Sequence, residues 1–373
     1  MQFFLNIKFL ISFWLFFVLH GAEENDRSDE SSVVTVLRFY AKPPELAKYN
    51  LSKIENLLRS MLKIRLVERK LAVGRKEGLI GGPVHLGVGQ EAVAVGVSAC
   101  LRNSDRVFGA HRSHSHLLAL GSSVHKLFAE VLGKETGHSK GMGGSMHLWD
   151  QPNGFYGSVP IVSGTVSLAV GAGLAAKLQN SEDISVAYLG DGAIEEGVVH
   201  ESLNLARIQN IPMIFVVENN LFASHMHISM RQPKDSTARF AFSNDIDFRV
   251  VDGNDVIAVE TAASELAEKA RKGKGPGFIE AITYRWYGHV DWREDIDVGV
   301  NRSQKDVDNW RARDPIHRLK CAMIEADIWS EEQDKQLYFT LQNEIDKAWS
   351  LALIDPYPNQ SELLNGVYSK ESF

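Results

Sequence analysis

The sequence predicts an α/β fold in which a mostly parallel sheet is covered by helices on both faces. Between residues 167 and 285, helical segments alternate with strand-like segments. The strand-like segments are short, nearly continuous apolar runs, which is typical of strands buried on both faces. Helices of about 10–18 residues between such strands indicate right-handed crossovers, which join parallel strands.

The individual elements are predicted from periodicity and from their flanking residues. Helices are predicted from about 52 to 78 and at 90–101, 115–132, 167–179, 195–209 and 255–272, and strands at 106–111, 184–189, 211–219, 248–253 and 277–285. Ser52 is the predicted N-cap of the first helix, with Glu55 three residues later. A loop dense in Gly and His spans 133–147. The tail from 303 to 352 is predicted to be helical, with packing residues Trp310, Ile316, Leu319 and Ile324.

Composition and charge restrict the class of protein. The chain has 373 residues, 44% hydrophobic content and a net charge of -7, so it can bury a sizeable core, and nucleic acid is not an expected partner. The two cysteines, Cys100 and Cys321, are far apart in the sequence. A disulfide framework and a thiolate metal site are therefore not predicted, and a reducing compartment is expected.

The N-terminal 50 residues form an apolar segment followed by a polar linker, and we expect one domain at 51–373 with a helical C-terminal extension. The run FLISFWLFFVL at 9–19 is similar to the apolar core of a secretory signal, but it is too short to span a bilayer as a helix. His20 stands where a cleavage site needs a small residue. The expected location is cytoplasmic, with export or membrane anchoring left open.

Two glycine patterns fit the dinucleotide-binding form G-x-G-x-x-A, namely GVGQEA at 87–92 and GAGLAA at 171–176. That fingerprint requires a strand directly before it and a helix opening at it. The first pattern follows a loop, and the second lies within a predicted helix, where small residues permit close packing. A nicotinamide oxidoreductase is therefore a minor alternative.

Polar residues end two successive predicted strands of the sheet. Asp191, in the turn GDG, follows the strand at 184–189, and Asn220 follows the strand at 211–219. If these strands are neighbours, one carboxylate and one amide oxygen converge at the edge where parallel sheets bind ligands. Hard oxygen ligands suit Mg²⁺, which also bridges phosphate oxygens. The alternative is an ordinary turn with Asp as a helix cap.

The wider pattern resembles a known family. GDG followed by NN, with HLGVGQEA (85–92), HRSHSH (111–116), KGMGGSMH (140–147), YRWYGH (284–289) and RDPI (313–316), is similar to the alpha subunit of the thiamine diphosphate-dependent 2-oxo acid dehydrogenases of the pyruvate and acetoin type. The resemblance runs from about Leu51 to Leu319. It implies the thiamine diphosphate-binding fold, with thiamine diphosphate and Mg²⁺ as cofactors.

The resemblance also implies roles for individual residues. Metal ligands would be Asp191, Asn220 and the backbone oxygen of Phe222. Cofactor-binding residues would be His111, Arg112, Val162, Asp191, Gly192, Ala193, Asn220 and His289. His289 and His85 match the family's active-site histidines, His85 near the substrate carboxylate, and are the predicted catalytic residues.

The implied activity is decarboxylation of a 2-oxo acid such as pyruvate, with transfer of the acyl unit to lipoamide. The family's activating Glu belongs to a beta subunit, so the resemblance implies an alpha2beta2 heterotetramer, with a lipoyl acyltransferase core as a further partner. The alternative is a carboligase or transketolase-like enzyme of the same fold that uses no lipoyl acceptor.

Several positions depart from the family pattern. Glu195 and Glu196 replace Asn and Gln, and are expected on the first turn of the following helix, where they would compete with diphosphate. His111 and Phe222 stand where relatives have Tyr, Pro160 where they often have Gly, and Val290 where the mitochondrial enzymes carry a phosphorylated Ser.

Overall fold

Six parallel strands form the central sheet of this computed structural model, which describes residues 43–46, 50–294 and 302–365. The predicted apolar segment at 9–19 lies outside the described residues, as does 295–301. The strands are β1 (Arg106–Gly109), β2 (Phe155–Ser158), β3 (Ser185–Gly190), β4 (Met213–Asn219), the short antiparallel pair β5 (Phe222–Ala223) and β6 (Met226–His227), then β7 (Asp247–Asp252) and β8 (Gly277–Ile282). The sheet order is β2-β1-β3-β4-β8-β7.

Helices cover both faces of the sheet. They are α1 (Leu51–Lys76), α2 (Glu91–Ser98), α3 (His114–Ala119), α4 (Val124–Val131), α5 (Gly164–Leu178), α6 (Gly197–Ile208), α7 (Ala238–Ser243), α8 (Val256–Arg271), α9 (Gln304–Arg311), α10 (Pro315–Glu325) and α11 (Glu331–Ile354). The predicted α/β fold with a parallel sheet is therefore confirmed.

Alternate side chains of the central strands build two separate cores. In β3, Val186 and Tyr188 join a core with α1, α2 and α8, whereas Ala187 and Leu189 join a second core with α5, α6 and α7. The strand β4 repeats this alternation and is buried along its whole length. Because successive side chains of a strand point to opposite faces, a continuous apolar run serves two helical layers at once.

Helix α1 begins at a different cap from the predicted one. The side chain of Asn50 accepts a hydrogen bond from Lys53 N at 2.8 Å, so Ser52 lies inside the first turn and the Ser52 prediction was wrong. Asn50, two residues before Ser52, provides a side-chain oxygen for a backbone N–H group of the first turn, which has no partner within the helix. The predicted apolar face is buried, namely Ile54, Leu57, Leu58, Met61, Leu62, Ile64 and Leu71.

The single helix predicted at 115–132 is instead two helices, α3 and α4. Gly121 between them has φ +94, a left-handed conformation that ends helices, and Ser123 caps α4 through Lys126 N. The strand β2 was missed, because FYGS is short, contains glycine and is partly exposed.

Other boundaries also differ from the prediction. The segment predicted as a helix from 195 begins with a 3-10 turn at Ala193–Glu195, and Glu196 is extended before α6. The strand predicted to 285 ends at Ile282. In the tail, Trp310, Ile316 and Leu319 are buried as predicted, but Ile324 is exposed, because it lies near the solvent-facing end of α10.

The pattern GAGLAA lies inside α5, so its glycines serve packing. A Cβ at Gly173 would lie 2.6 Å from Ile211 and 2.7 Å from the Ser185 hydroxyl, so only glycine allows α5 to lie this close to β3. Within the described residues, no helix is both long and apolar enough to cross a membrane.

The Gly74→Ala substitution should destabilise the contact between α1 and α11. The new Cβ would lie 2.8 Å from Cζ2 of Trp349, whose buried ring packs edge-on against Phe128 at 5.0 Å. Overpacking costs about 1–3 kcal/mol, of which the better helix propensity of Ala offsets up to about 1 kcal/mol. Urea denaturation measures the difference in the free energy of unfolding.

The control for this substitution is Gly81→Ala. In the described part of the chain, nothing lies within 4 Å of a Cβ at Gly81, so its free energy of unfolding should not fall. Equal stability of the two variants would contradict the tight contact at Gly74.

Candidate functional site

Strands β3 and β4 are neighbours, as the convergence of their polar ends requires. They pair in parallel, with Gly190 opposite Glu218 at the last paired position. Asp191 and the pair Asn219 and Asn220 therefore leave the sheet at the same edge. This edge is the carboxyl end of the strands, where open parallel sheets bind their ligands.

The Asp191 carboxylate is buried and forms an ion pair with an arginine side chain. Arg231 Nη2 donates to Asp191 Oδ2, and Arg231 Nη1 donates to the Glu195 carboxylate. Gln232 Nε2 donates to Asp191 O at 3.1 Å and to Glu195 Oε1 at 2.7 Å. Burial raises the pKa of Asp191 to about 6, although Arg231 acts in the opposite direction. The buried Asp191 carboxylate, the Arg231 guanidinium and the more exposed Glu195 carboxylate thus form one ionic network.

Arg231 was not predicted from the sequence. It lies 40 residues after Asp191, in a polar loop with no repeating pattern. One signal was available, because two acids at 195 and 196 follow Asp191 closely and a nearby basic side chain offsets their repulsion. Both acids are exposed to solvent, and Glu195 pairs with Arg231.

The turn after β4 is held by its two asparagines. Asn219 Oδ1 accepts from Leu221 N at 3.1 Å, and Asn220 Oδ1 accepts from Phe222 N at 3.2 Å. Leu221 adopts φ +72 and Ser224 φ +54, conformations that cost energy in residues other than glycine. Strained residues thus flank the turn that presents the Asn220 oxygen.

Buried Glu280 of β8 fixes Asn219 and the following loop together. Its carboxylate accepts from Asn219 Nδ2 at 2.8 Å and from the backbone N–H groups of Thr237 and Ala238, each at 2.8 Å. The same carboxylate therefore orients the asparagine turn and caps the start of α7. This positioning residue was also missed, since an isolated Glu within an apolar strand carries no signal of its partners.

The GDGA turn packs closely against its neighbours. A Cβ at Gly192 would lie 2.5 Å from Ala223 Cβ, so the turn touches the loop that follows Asn220. Ser163 Oγ donates to Ala193 O at 2.7 Å, and this bond brings the segment containing Val162 to the turn. Val162 itself is 53% exposed, as expected for a side chain available for contact. Phe222 is buried and packs against Tyr284, with ring centroids 6.1 Å apart.

Three histidines meet beside this edge of the sheet. The rings of His85, His111 and His289 have centroids 4.7, 5.1 and 5.5 Å apart. Arg112 Nη1 donates to Leu86 O at 2.6 Å, and Arg112 Nη2 donates to His289 O at 3.2 Å. Burial, together with the positive charge of Arg112, lowers the pKa of His85 to about 2 and that of His111 to about 3. Both imidazoles are therefore neutral at pH 7.

Hydrogen bonds connect the histidine cluster to the asparagine turn. Asn220 Nδ2 donates to Gln90 Oε1 at 3.2 Å, in the loop that begins at His85. Trp286 N donates to Val88 O at 2.9 Å, and Arg285 Nη2 donates to Ser224 O at 2.7 Å. The loops that carry His85, His289 and Asn220 thus form one connected site.

The histidines flanking this cluster have other contacts. His114 lies between Glu68, at 3.3 Å, and Ser145 Oγ, at 2.8 Å, and His116 stacks on Tyr188 with centroids 3.7 Å apart. His138 hydrogen-bonds Ser122 at 3.0 Å, and His147 is exposed. These four side chains are not part of the three-ring cluster.

A buried carboxylate holds the loop dense in Gly and His. Glu130, at the end of α4, accepts hydrogen bonds from four backbone N–H groups, those of Ser139 and Gly141 at 2.7 and 3.0 Å and of Gly143 and Gly144 at 2.7 and 3.1 Å. A Cβ at Gly137 would lie 2.6 Å from Cα of Glu130. The glycines therefore let the backbone wrap around one carboxylate.

The residues present fit a diphosphate bound through a divalent metal. Asp191 and Asn220 supply hard oxygen donors, and the contact of Arg231 with Asp191 shows that this carboxylate binds positive charge. The buried guanidinium of Arg112 is suited to phosphate oxygens. Arg231 must release Asp191 if that carboxylate is to ligate a metal.

Comparisons with known proteins match most of the chain. The family model described as "Dehydrogenase E1 component" matches residues 59–361. The alpha subunit of acetoin:2,6-dichlorophenolindophenol oxidoreductase from Bacillus subtilis (strain 168) is 38% identical over 312 residues, 84% of this chain and 92% of that protein. The pyruvate dehydrogenase E1 component subunit alpha from Rhizobium meliloti (strain 1021) is 37% identical over 310 residues, covering 83% and 88% of the two chains. The mitochondrial subunit of the same name from Dictyostelium discoideum is 33% identical over 331 residues, covering 88% and 86%.

The Glu130→Gln substitution should loosen the loop at 137–144. A Gln amide has one acceptor oxygen, and its NH₂ group would lie against backbone N–H groups that also need an acceptor. We therefore expect the free energy of unfolding to fall by about 2–4 kcal/mol. Hydrogen exchange at Gly143 and Gly144 should accelerate. Glu135→Gln, at an exposed acid of the same loop, is the control, and unchanged exchange in Glu130→Gln would show that the carboxylate does not hold the loop.

Proposed function

The chain belongs to the dehydrogenase E1 component family, and on this premise we propose that it is the alpha subunit of a thiamine diphosphate-dependent 2-oxo acid dehydrogenase. The subunit acts as an oxidoreductase that decarboxylates a 2-oxo acid such as pyruvate and transfers the acyl unit to lipoamide. The observation that carries the proposal is the convergence of Asp191, Asn220 and Arg112 at one edge of the sheet. The carboligase or transketolase-like alternative is not favoured, because the relatives are named as dehydrogenase and oxidoreductase subunits.

Cofactor binding is proposed at the edge formed by β3 and β4. Mg²⁺ would be held by Asp191, the Asn220 side chain and the backbone oxygen of Phe222. The diphosphate would be bound by Arg112, by the backbone N–H groups of Gly192 and Ala193, and by His111 and His289, with Val162 against the aminopyrimidine. When bound, thiamine diphosphate supplies a nucleophilic carbon and an electron sink for decarboxylation.

The neutral state of His85 suits its proposed catalytic role. His85 is buried, and its Nδ1 has no hydrogen-bond partner within the described residues. A neutral imidazole can donate one hydrogen bond to a substrate carboxylate and accept another. His289 would steady the diphosphate and assist acyl transfer to the lipoyl group. Arg112, bonded to His289 O, orients the segment that carries this ring.

The acid at 195 is compatible with a bound diphosphate. Its carboxylate is hydrogen-bonded by Arg231 and Gln232, so its negative charge is neutralised within the protein. Glu196, the extended residue before α6, is exposed to solvent. The expected competition between these acids and the diphosphate is therefore offset at Glu195 by Arg231.

A beta subunit is the proposed partner, since the relatives are named as alpha subunits. The segment 161–168 adjoins the GDGA turn through the bond from Ser163 to Ala193. Three of its large apolar side chains are exposed, namely Ile161 at 71%, Val162 at 53% and Leu168 at 58%. Exposed apolar side chains in a cluster are typical of a surface that another chain covers. We propose an alpha2beta2 heterotetramer with the cofactor at this interface, and a lipoyl acyltransferase core as its acceptor.

The cytoplasm is the proposed location. Both cysteines are free, including the partly buried Cys100, which is consistent with a reducing compartment. Mapping of the mature N-terminus tests this assignment, and a chain that begins near Glu23 in an exported fraction would overturn it.

The Asp191→Asn substitution tests the metal site. The variant keeps the shape of the side chain but loses the charge that attracts Mg²⁺, so Mg²⁺-dependent thiamine diphosphate binding should weaken by about 10-fold or more. Isothermal titration of the chain assembled with its beta subunit measures the affinity, and circular dichroism reports folding. Asp308→Asn, at an exposed acid of α9, should bind normally. Undiminished binding by Asp191→Asn would remove the proposed ligand.

The division of the active site between two subunits has a separate test. The purified chain alone should not decarboxylate pyruvate with thiamine diphosphate and Mg²⁺, because it lacks the Glu that the beta subunit is proposed to supply. Addition of the beta subunit should restore the activity, followed by CO₂ release or by reductive acylation of lipoamide. Decarboxylation by the chain alone would refute the division.

A further inference from the structure

We propose that His85, His111 and His289 form a binding site for a divalent transition-metal ion such as Zn²⁺, separate from the Mg²⁺ site at Asp191 and Asn220. None of the roles proposed above places a metal on these imidazoles. The site requires only the three rings, so it does not depend on the proposed function.

The geometry of the three rings is close to that of a metal site. One ring nitrogen of each histidine lies within 4.8 Å of a ring nitrogen of the other two. Zn–N bonds of about 2.0–2.1 Å place tetrahedral nitrogen ligands about 3.4 Å apart. Ring rotations that bring each nitrogen inward by about 1 Å are therefore sufficient, and such rotations are small compared with a change of rotamer.

The chemical state of the imidazoles favours a transition metal over Mg²⁺. Neutral imidazole is the ligating form, and burial keeps the pKa of His85 and His111 far below 7. A site of three nitrogens suits Zn²⁺, Co²⁺, Ni²⁺ and Cu²⁺, whereas Mg²⁺ prefers oxygen ligands. Three protein ligands leave a fourth position for water or a substrate oxygen.

One ring of the cluster has a free coordinating atom. Within the described residues, His85 Nδ1 is buried without a hydrogen-bond partner. Leaving such a buried atom without a partner is unfavourable, and a metal ion would satisfy it. A fourth imidazole, the exposed His225, has its centroid 6.1 Å from that of His289.

Arg112 limits the affinity of the site. Its Nη2 lies 3.5 Å from His289 Nδ1, so its positive charge opposes a bound cation. Its Nη1 is directed away, to Leu86 O at 2.6 Å. Arg285 adds further positive charge beside His111, and the buried Glu68 and Glu218 carboxylates compensate part of it. Metal binding should therefore be weaker than in sites whose histidines are backed by carboxylates.

Cobalt binding to the full-length chain tests the proposal. The chain must carry no histidine tag, and the titration contains excess Mg²⁺ and no thiamine diphosphate. We expect saturable binding of one Co²⁺ per chain, with the visible absorption of nitrogen-ligated Co²⁺, and displacement of the Co²⁺ by Zn²⁺.

Matched variants assign the site to the three histidines. His111→Phe should weaken Co²⁺ binding by about 10-fold or more, and His85→Ala should have a similar effect. His147→Phe removes an exposed histidine of the neighbouring loop and should leave binding unchanged. Circular dichroism shows whether each variant is folded.

A measurement on the unaltered chain covers the case in which the variants do not fold. Electron paramagnetic resonance of bound Cu²⁺ should show superhyperfine coupling to three nitrogens. An oxygen-only Cu²⁺ spectrum, displacement of Co²⁺ by Mg²⁺, or equal Co²⁺ affinity in folded His111→Phe and in the unaltered chain would each overturn the proposal.

Discussion

Parallel pairing of β3 with β4 is the constraint on which the candidate site depends. Parallel neighbouring strands end at the same edge of a sheet. The pairing of β3 with β4 therefore places the residues that follow Gly190 close to those that follow Asn219. The pairing is stable because both strands are buried by helices on two faces, and a buried strand cannot leave its backbone hydrogen bonds unmade. The position of Asp191 relative to the asparagine turn is thereby a property of the sheet.

The loops at that edge are fixed by carboxylates that reach them from the interior. Glu68 binds Gly87 N at 2.9 Å, Glu91 pairs with Arg65 and binds Gly89 N, Glu130 holds the loop at 137–144, and Glu280 holds Asn219. Burying a charge is costly unless hydrogen bonds satisfy it, so each acid is stable only with its loop in place. The buried carboxylates thus favour one conformation of each loop. Apolar packing is less directional and would allow several.

The layered fold could be predicted from the sequence because it depends on local periodicity. The apolar runs of β3 and β4 and the amphipathic pattern of α1 are each visible in one short segment. The break between α3 and α4 and the strand β2 were missed, since a single glycine or a four-residue strand has little periodic signal. For the site, the places of Asp191, Asn220 and the three clustered histidines followed from motif positions. Arg231 and Glu280 could not be found in this way, because their partners lie 40 and 61 residues away.

The ion pair of Arg231 with Glu195 makes two positions that are distant in the sequence electrostatically interdependent. The loop after β6 brings a guanidinium to the carboxylate at 195 and so offsets its repulsion with Asp191. Arg231 in turn bonds Asp191, so loss of the arginine alone would leave two buried or half-buried acids uncompensated. A loop transplanted from a relative without this arginine would therefore require a simultaneous exchange at 195. The two positions therefore act as one electrostatic unit, even though 36 residues separate them.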